Sequence, residues 1–214
     1  HYSDKIAGMT TAESDRQLGA HRKQVNLLKS VLIKQFAGAD GFECADYLDL
    51  ACGHGQDLHK LLALNLRCCV GIDIAKEAIE EAKRRYTRIK KDDKYQAEFH
   101  AGDLNEQSSF EIAKKISPFY DVVSVQLSLH YMCESKKMMQ KFLQNCFDSL
   151  RVHGRMLITT ANCDTIAERI IAERTKSGDR KLSKFGNRLY SVTFDDGVLP
   201  ESEEDLKYVL KTKW

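Results

Sequence analysis

Short apolar segments alternate with helical segments through most of the chain, and this alternation restricts the possible folds more than any other feature. Strand-like runs occur at ADYLDLACG, RCCVGIDI and YQAEFHAGD, and the segment AKEAIEEAKRRYTRIKK between two of them has the spacing of an amphipathic helix. Connections of about a dozen residues between successive strands are typical of helical crossovers between parallel strands. The sequence therefore predicts an α/β fold, with a mostly parallel sheet and helices on both faces.

Other segments extend this pattern in both directions. Apolar residues between Thr11 and Phe36 recur at a helical period, which predicts one long helix or two helices joined near Gly19. The further predicted helices are GQDLHKLLAL, FEIAKKI, KKMMQKFLQNCFDSL and DTIAERIIAERTK, the further predicted strands are YDVVSVQLSLH, GRMLITTAN, RLYSVTF and LKYVLKTK, and SGDRKLSKFG is a predicted loop.

The composition is that of an ordinary globular chain. With 214 residues, 30% of them charged and only 2 prolines, collagen-like, low-complexity and disordered classes are excluded. No apolar run reaches the roughly 18 residues of a membrane span, so we expect no membrane partner. The 7 cysteines are odd in number and show no paired zinc spacing, so we expect buried free thiols and no metal site. We interpret residues 1–214 as a single domain.

Basic residues are concentrated in two zones, although the formal net charge is only +2. Each zone considered alone is most simply a solvated face. Beside a ligand cleft, the two would also suit a polyphosphate or an RNA 5′ end. The zones consist of Lys83, Arg84, Arg85, Arg88, Lys90, Lys91 and Lys94, and of Arg174, Lys176, Arg180, Lys181, Lys184 and Arg188.

Glycines and carboxylates follow the first three predicted strands, at the edge where parallel sheets bind ligands. The turn DLACGHG (49–55) permits close backbone approach to a ligand but lacks the G-x-G-x-x-G pattern of a dinucleotide cradle. Asp73 follows the second strand, where it could accept both hydroxyls of a ribose or simply cap a helix. Gly102 and Asp103 follow the third, within reach of an adenine amino group. In this order, the three features indicate an S-adenosylmethionine site.

This set resembles the class I methyltransferases, whose Rossmann-like sheet the predicted elements also match. Other stretches narrow the resemblance to the mRNA cap guanine-N7 methyltransferases, and they span almost the whole chain. These stretches are His1-Tyr2, VNLLKSVLI (25–33), VQLSLHYMCES (125–135) and FGNRLYSVTF (185–194).

The resemblance implies S-adenosylmethionine as cofactor, S-adenosylhomocysteine as product and no metal. Lys29 is similar to a family lysine that reaches the methionine carboxylate, an acceptor that suits an ammonium group. Asp73 matches the ribose ligand and Asp103 the adenine contact. The remaining implied cofactor residues are Ala51 and Gly53 in the turn under the methionine end, and Gln126 and Tyr131 near the sulfonium end.

The resemblance also implies residues for the capped RNA 5′ end, GpppN. His130 matches a histidine beside the guanine, and Tyr131 flanks the same pocket. Guanine N7 carries a lone pair and no proton, so positioning residues suffice and no acid–base residue is implied. The remaining implied substrate residues are Asn26, His54, Lys60 and Arg85, for the base, the ribose and the triphosphate.

Several positions depart from the family pattern. Val25 replaces the first of two asparagines, Leu27 an aromatic residue and Ala161 a proline. The segment with the glutamate that holds the guanine edge has no match after LKYVLKTKW, and Glu201 precedes that strand, so its role is not transferred. We therefore expect a methyltransferase domain with a truncated C-terminal end, in which the helical segment 1–38 contributes to the site.

Two other functions remain open on the sequence alone. One is a class I methyltransferase that acts on another substrate, and the other is a non-catalytic cap-binding or scaffold module with the same fold. For a cap guanine-N7 methyltransferase, the favoured interpretation, the resemblance further implies a nuclear location. It also implies the capping-enzyme or RNA polymerase II machinery as candidate partners.

Overall fold

The structure, a computed structural model, describes residues 11–38, 42–89, 96–186, 191–194, 199–202 and 205. The chain forms two compact units, Leu27–Thr160 and His1–Asn26 with Ala161–Trp214. The interpretation of residues 1–214 as one methyltransferase domain stays a prediction. The predicted strand LKYVLKTK lies outside the described residues.

Five parallel strands form the sheet of the unit Leu27–Thr160, in the order β3-β2-β1-β4-β5. This confirms the predicted parallel α/β sheet. The strands are β1 (Asp46–Leu50), β2 (Cys68–Asp73), β3 (Gln96–Ala101), β4 (Tyr120–Gln126) and β5 (Leu150–Thr159). The helices are α1 (Thr11–Ala37), α2 (Leu58–Leu61), α3 (Lys76–Ile89), α4 (Gln107–Ile116), α5 (Lys136–Phe147) and α6 (Cys163–Ser177).

Helices pack against both faces of the sheet because side chains alternate along each buried strand. Leu48 and Leu50 of β1 point into a core shared with α4 and α5. Tyr47, the residue before Leu48, points into the opposite core with the end of α1 and with α2. Helix α3 packs on this second side, where Ile79 contacts the cluster around Phe99 of β3.

Four buried cysteines contribute to these cores as small apolar side chains, as the sequence predicted. Each of the six cysteines whose side chains are described is a free thiol. Burial raises the pKa of Cys44, Cys68 and Cys146 to about 12.

Helix α1 is continuous through Gly19, as in the first of the two predicted alternatives. Three other element predictions differ from the structure. The segment GQDLHKLLAL forms only the short helix α2, with turns on either side. Strand β4 ends at Gln126 and not at His130, because Leu127 has a φ of 59° and the chain then forms a 3₁₀ helix over Leu129–Met132. The predicted loop SGDRKLSKFG contains a short strand, β6 (Lys184–Gly186), which pairs with β7 (Ser191–Thr193).

The second unit has its own small core. Ala167 and Ile170 of α6 pack against Phe185 of β6 and against Phe194, which follows β7. The buried Arg174 donates to the carbonyls of Leu182 and Pro200 and so holds the following loop to the helix.

At the sheet edge where β1 and β4 begin, buried carboxylates join several elements. The Asp121 carboxylate accepts hydrogen bonds from the backbone N–H groups of Ala45 and Asp46, both at 2.9 Å. The fully buried Asp46 carboxylate is paired with Arg67 and, at 3.2 Å, with Arg151. Arg151 also contacts Asp121 at 3.2 Å. These contacts tie β1 to β4 and to the start of β5.

We expect Asp121→Ala to lower the free energy of unfolding by about 2 kcal/mol or more, because two backbone donors, one of them buried, would lose their acceptor. Denaturant unfolding measures the change. The exposed Asp148, which accepts from the Gln144 side chain, is the control, and Asp148→Ala is expected to cost less than about 0.5 kcal/mol. Equal costs for the two variants would contradict this account.

Candidate active site

The turn after β1 adopts a left-handed backbone at alternate residues. The φ angles of Ala51, Gly53 and Gly55 are 55°, 52° and 65°. A Cβ on Gly53 would meet no atom within 4 Å, whereas one on Gly55 would lie 2.9 Å from the Leu58 side chain. Gly53 therefore leaves room for a ligand, and Gly55 is required by packing. Ala51 adopts the same conformation at a cost of about 1–2 kcal/mol.

Two contacts hold this turn against β2. The Gly53 N–H donates to the Asp73 carboxylate at 2.8 Å, and the Cys52 N–H donates to the Ile72 carbonyl at 3.1 Å. The close approach of this turn to β2 also requires a glycine at position 71, since a Cβ on Gly71 would lie 2.9 Å from the Cys52 sulfur. Nothing in the sequence singles out Gly71, because a glycine within an apolar strand has several possible explanations.

The carboxylates of Asp73 and Asp103 lie at neighbouring strand ends, as expected. Asp73 pairs in register with Ala101, and the Gly102 N–H donates to the Asp73 carbonyl at 2.9 Å. The second Asp73 oxygen accepts from the Ala75 N–H, so the side chain also helps to begin α3. Each carboxylate oxygen has two acceptor positions, which leaves capacity for two ribose hydroxyls. Asp103 accepts from the Asn105 N–H at 2.9 Å and is half-buried.

A cavity of about 190 Å³ opens beside the turn, at the carboxyl ends of β1 and β4. Five predicted site residues lie in its wall: Lys29, Ala51, Gly53, His54 and Gln126. Asp49, Cys52, Gln56 and Asp57 complete the lining.

Lys29 reaches this cavity from α1 and is fixed there by Asp57. Its ammonium group donates to Asp57 Oδ2 at 3.0 Å, and the ammonium group of Lys60 donates to Asp57 Oδ1 at 2.5 Å. The three side chains are only 10–12% exposed. Lys60, expected at the cap triphosphate, is thus nearly buried in an ion pair.

Asp49 is the other buried carboxyl of the cavity wall. Burial raises its pKa to about 8, and the negative charge of Asp57 adds to this effect while the Lys29 ammonium opposes it. At pH 7 the Asp49 side chain is therefore mostly neutral. Asp49 lies in the predicted turn but was not a predicted site residue, and neither was Asp57. The spacing of Asp57 and Lys60, three residues apart, could have indicated an ion pair.

Gln126 closes the cavity at the end of β4. Its amide nitrogen donates to Ser124 Oγ and to the Leu157 carbonyl, and its oxygen accepts from the Thr159 hydroxyl at 3.0 Å. These bonds tie the side chain to β5 and fix its orientation.

His130 and Tyr131 lie in the 3₁₀ helix that follows β4. Their ring centroids are 4.1 Å apart, and the rings are tilted by 43°. Tyr131 is 70% exposed, whereas burial lowers the pKa of His130 below its ordinary value of 6.5. The imidazole is therefore neutral at pH 7.

The remaining predicted site residues lie on helices. Asn26 is exposed on α1, three residues before Lys29. Arg85 is partly exposed on α3, 4.0 Å from the Glu81 carboxylate. Among the described residues, no cluster of His, Cys, Asp or Glu has the arrangement of a metal site. No helix in this part of the chain is both long enough and apolar enough to cross a membrane.

Solved structures share this architecture. A S-adenosylmethionine-dependent methyltransferase from Clostridium acetobutylicum superposes with a TM-score of 0.52 over 79% of this chain and 62% of its own, at 16% identity. The plantazolicin methyltransferase BpumL, solved with S-adenosylhomocysteine, gives a TM-score of 0.53 over 83% and 63%, at 20% identity. The fold is therefore that of the class I methyltransferases.

Sequence comparison is more specific. Residues 1–210 match the mRNA (guanine-N(7))-methyltransferase domain, and the chain belongs to that family. The mRNA cap guanine-N(7) methyltransferase of Candida albicans is 33% identical over 87% of this chain and 44% of its own length. The enzyme of Schizosaccharomyces pombe is 34% identical over 80% and 46%. The chain thus spans less than half the length of these two relatives.

We expect Asp49→Asn to stabilise the protein increasingly as the pH rises from about 4 to 8. In the folded state Asp49 stays protonated until the pH approaches its pKa of about 8, whereas in the unfolded state it releases the proton near pH 3.8. The parent protein therefore loses stability as the pH rises between these two values. Asparagine does not titrate. The difference in free energy of unfolding should grow by more than about 1 kcal/mol between pH 5 and pH 8. A constant difference would show that Asp49 is ionised in the folded protein.

Proposed function

We propose that this protein transfers a methyl group from S-adenosylmethionine to N7 of the terminal guanine of GpppN-RNA. The observation that carries the proposal is the cavity beside the left-handed turn. Its wall contains the Lys29 ammonium group and Gly53, and the Gly53 N–H is hydrogen-bonded to the Asp73 carboxylate. Membership of the cap methyltransferase family supports the choice of substrate.

The residues of the cavity suit the cofactor chemically. The Lys29 ammonium has donors for an α-carboxylate, and Gly53 allows a ligand to approach the backbone closely. Asp73 retains acceptor capacity for ribose hydroxyls, and Asp103 lies at the neighbouring strand end for the adenine. Ala51, Gln126 and Tyr131 complete the proposed set. When bound, S-adenosylmethionine supplies a methyl group on a positively charged sulfur.

The chain's own contribution is to orient the guanine and to exclude unfavourable charge. N7 attacks with a lone pair and loses no proton, so no general base is required. Alignment of reacting groups can contribute up to about 7–11 kcal/mol in well-oriented systems. The methylated guanine becomes positively charged, and the neutral His130 beside it would not repel that charge.

The cap's ribose and triphosphate require cations and donors near the base. His54 is exposed at the cavity and Arg85 is partly exposed on α3, so both can meet a polyanion from solvent. Asn26, exposed on α1, completes the proposed substrate set. Because the substrate would be a capped transcript, we further propose a nuclear location, with the capping-enzyme or RNA polymerase II machinery as partners.

The test is tritium transfer from labelled S-adenosylmethionine to GpppA-RNA and to 7-methyl-GpppA-RNA, in the parent and in His130→Ala. We expect label on GpppA-RNA only, and about a hundredfold slower transfer by the variant, since misplacement of a reacting group costs about that much. S-adenosylhomocysteine should bind both proteins equally.

Each other result has a definite meaning for the proposal. Label on both RNAs would indicate a methyltransferase with another target atom. Cofactor binding without transfer to either RNA would indicate a different substrate, and cap binding without cofactor binding would indicate a scaffold module. Any of the three would overturn the proposed function.

We expect Asp73→Asn to weaken S-adenosylhomocysteine binding at least about tenfold, because hydrogen bonds to a charged group contribute about 1.5–3 kcal/mol. Asparagine keeps one oxygen for the Gly53 N–H, so the turn should survive, although its amide nitrogen cannot accept from the Ala75 N–H at the start of α3. Calorimetry measures the affinity, and an unchanged circular dichroism spectrum verifies the fold. Glu106→Gln, an exposed position on the same sheet edge, is the matched control. Equal affinities for the two variants would remove Asp73 from the site.

A further inference from the structure

Lys60 does not have the environment of a residue that contacts a substrate polyanion from solvent. Its side chain is 12% exposed, and its ammonium group is paired with Asp57 Oδ1. It is absent from the cavity wall, whereas Lys29, on the other oxygen of the same carboxylate, lines the cavity. Lys60 is therefore linked to the cavity wall by its ion pair with Asp57.

The charges of Lys29, Asp57 and Lys60 do not cancel one another. Two ammonium groups and one carboxylate carry a net charge of +1, and the neighbouring Asp49 is mostly neutral at pH 7. Without the charge of Lys60 the pair Lys29–Asp57 would be neutral overall. The Asp57 carboxylate would then offset the attraction of Lys29 for any anionic group in the cavity. Such an offset matters in a nearly buried site, because charges there are screened less than in water.

We propose that Lys60 is a positioning residue of the cofactor site, which by neutralising Asp57 leaves Lys29 free to attract the carboxylate of the S-adenosyl amino acid. This inference rests on the proposed function, in which the amino-acid end of the cofactor occupies the cavity. It assigns Lys60 to the end of the site that binds the cofactor carboxylate and not to the cap triphosphate. It also gives Lys60 a role in specificity, because a ligand without a carboxylate gains nothing from the net charge.

Two ligands separate this role from a general effect on the fold. S-adenosylhomocysteine has the amino-acid end, and 5′-methylthioadenosine lacks it but keeps the nucleoside. We expect Lys60→Met to weaken S-adenosylhomocysteine binding about tenfold and to change 5′-methylthioadenosine binding less than about twofold. Lys60→Gln, which keeps a donor for Asp57 and loses only the charge, should give the same ratio even if the methionine variant folds poorly.

Further variants test whether the effect passes through Asp57. Lys60→Arg, which keeps the charge, should restore the affinity for S-adenosylhomocysteine. In an Asp57→Asn background, Lys60→Met should change that affinity less than about threefold, because the carboxylate to be neutralised is gone. Lys114→Met, on the exposed face of α4, is the control for removal of a lysine and should affect neither ligand.

The opposite results overturn the inference. Equal losses for both nucleosides would mean that Lys60 only supports the fold. Unchanged nucleoside binding with weaker, salt-dependent binding of GpppA would make Lys60 a phosphate ligand. If the parent binds neither nucleoside, the proposed function fails and the inference fails with it. If the parent binds both and Lys60→Met keeps their ratio, only the inference fails.

Discussion

The hydrogen bond from the Gly53 N–H to the Asp73 carboxylate joins the ends of β1 and β2, and the geometry of the site depends on it. A parallel pair of strands delivers two chain ends to one edge but does not fix how the following segments turn. Here the left-handed turn directs the Gly53 N–H toward β2, where it donates a hydrogen bond to the Asp73 carboxylate. This bond fixes the position of the turn relative to the Asp73 carboxylate, beside the cavity.

Buried charge is arranged differently at the two ends of the sheet. Where β1 begins, Asp46 is paired with arginines whose side chains are half exposed, so the charges stabilise the packing of strands without forming a cavity. Where β1 ends, Asp57 is paired with lysines that are themselves nearly buried. Desolvating three ions is costly unless their geometry is well satisfied, which is characteristic of sites that serve binding more than stability.

The sequence predicted the elements that depend on local pattern. The parallel strands, α3 and the aspartates at strand ends follow from periodicity and from the edge rule for parallel sheets. What it did not predict depends on contacts between distant residues. The early end of β4 results from the conformation of Leu127, whose N–H bonds the Thr159 carbonyl of β5. The burial of Lys60 and the raised pKa of Asp49 arise because α1, the turn after β1 and α2 converge on one cavity. These elements are too far apart in the sequence for a local pattern to reveal their contact.

The chemistry of the core thiols follows from their burial. Oxidants and alkylating reagents react with thiolates, and a cysteine with a pKa near 12 presents almost none at cellular pH. Burial and the raised pKa together make Cys44, Cys68 and Cys146 poor targets for oxidants. For the experimenter, a cysteine introduced on the surface would be labelled before these three, so they need not be replaced before a fluorescent reporter is attached, whereas the partly exposed Cys52 and Cys133 should be checked first.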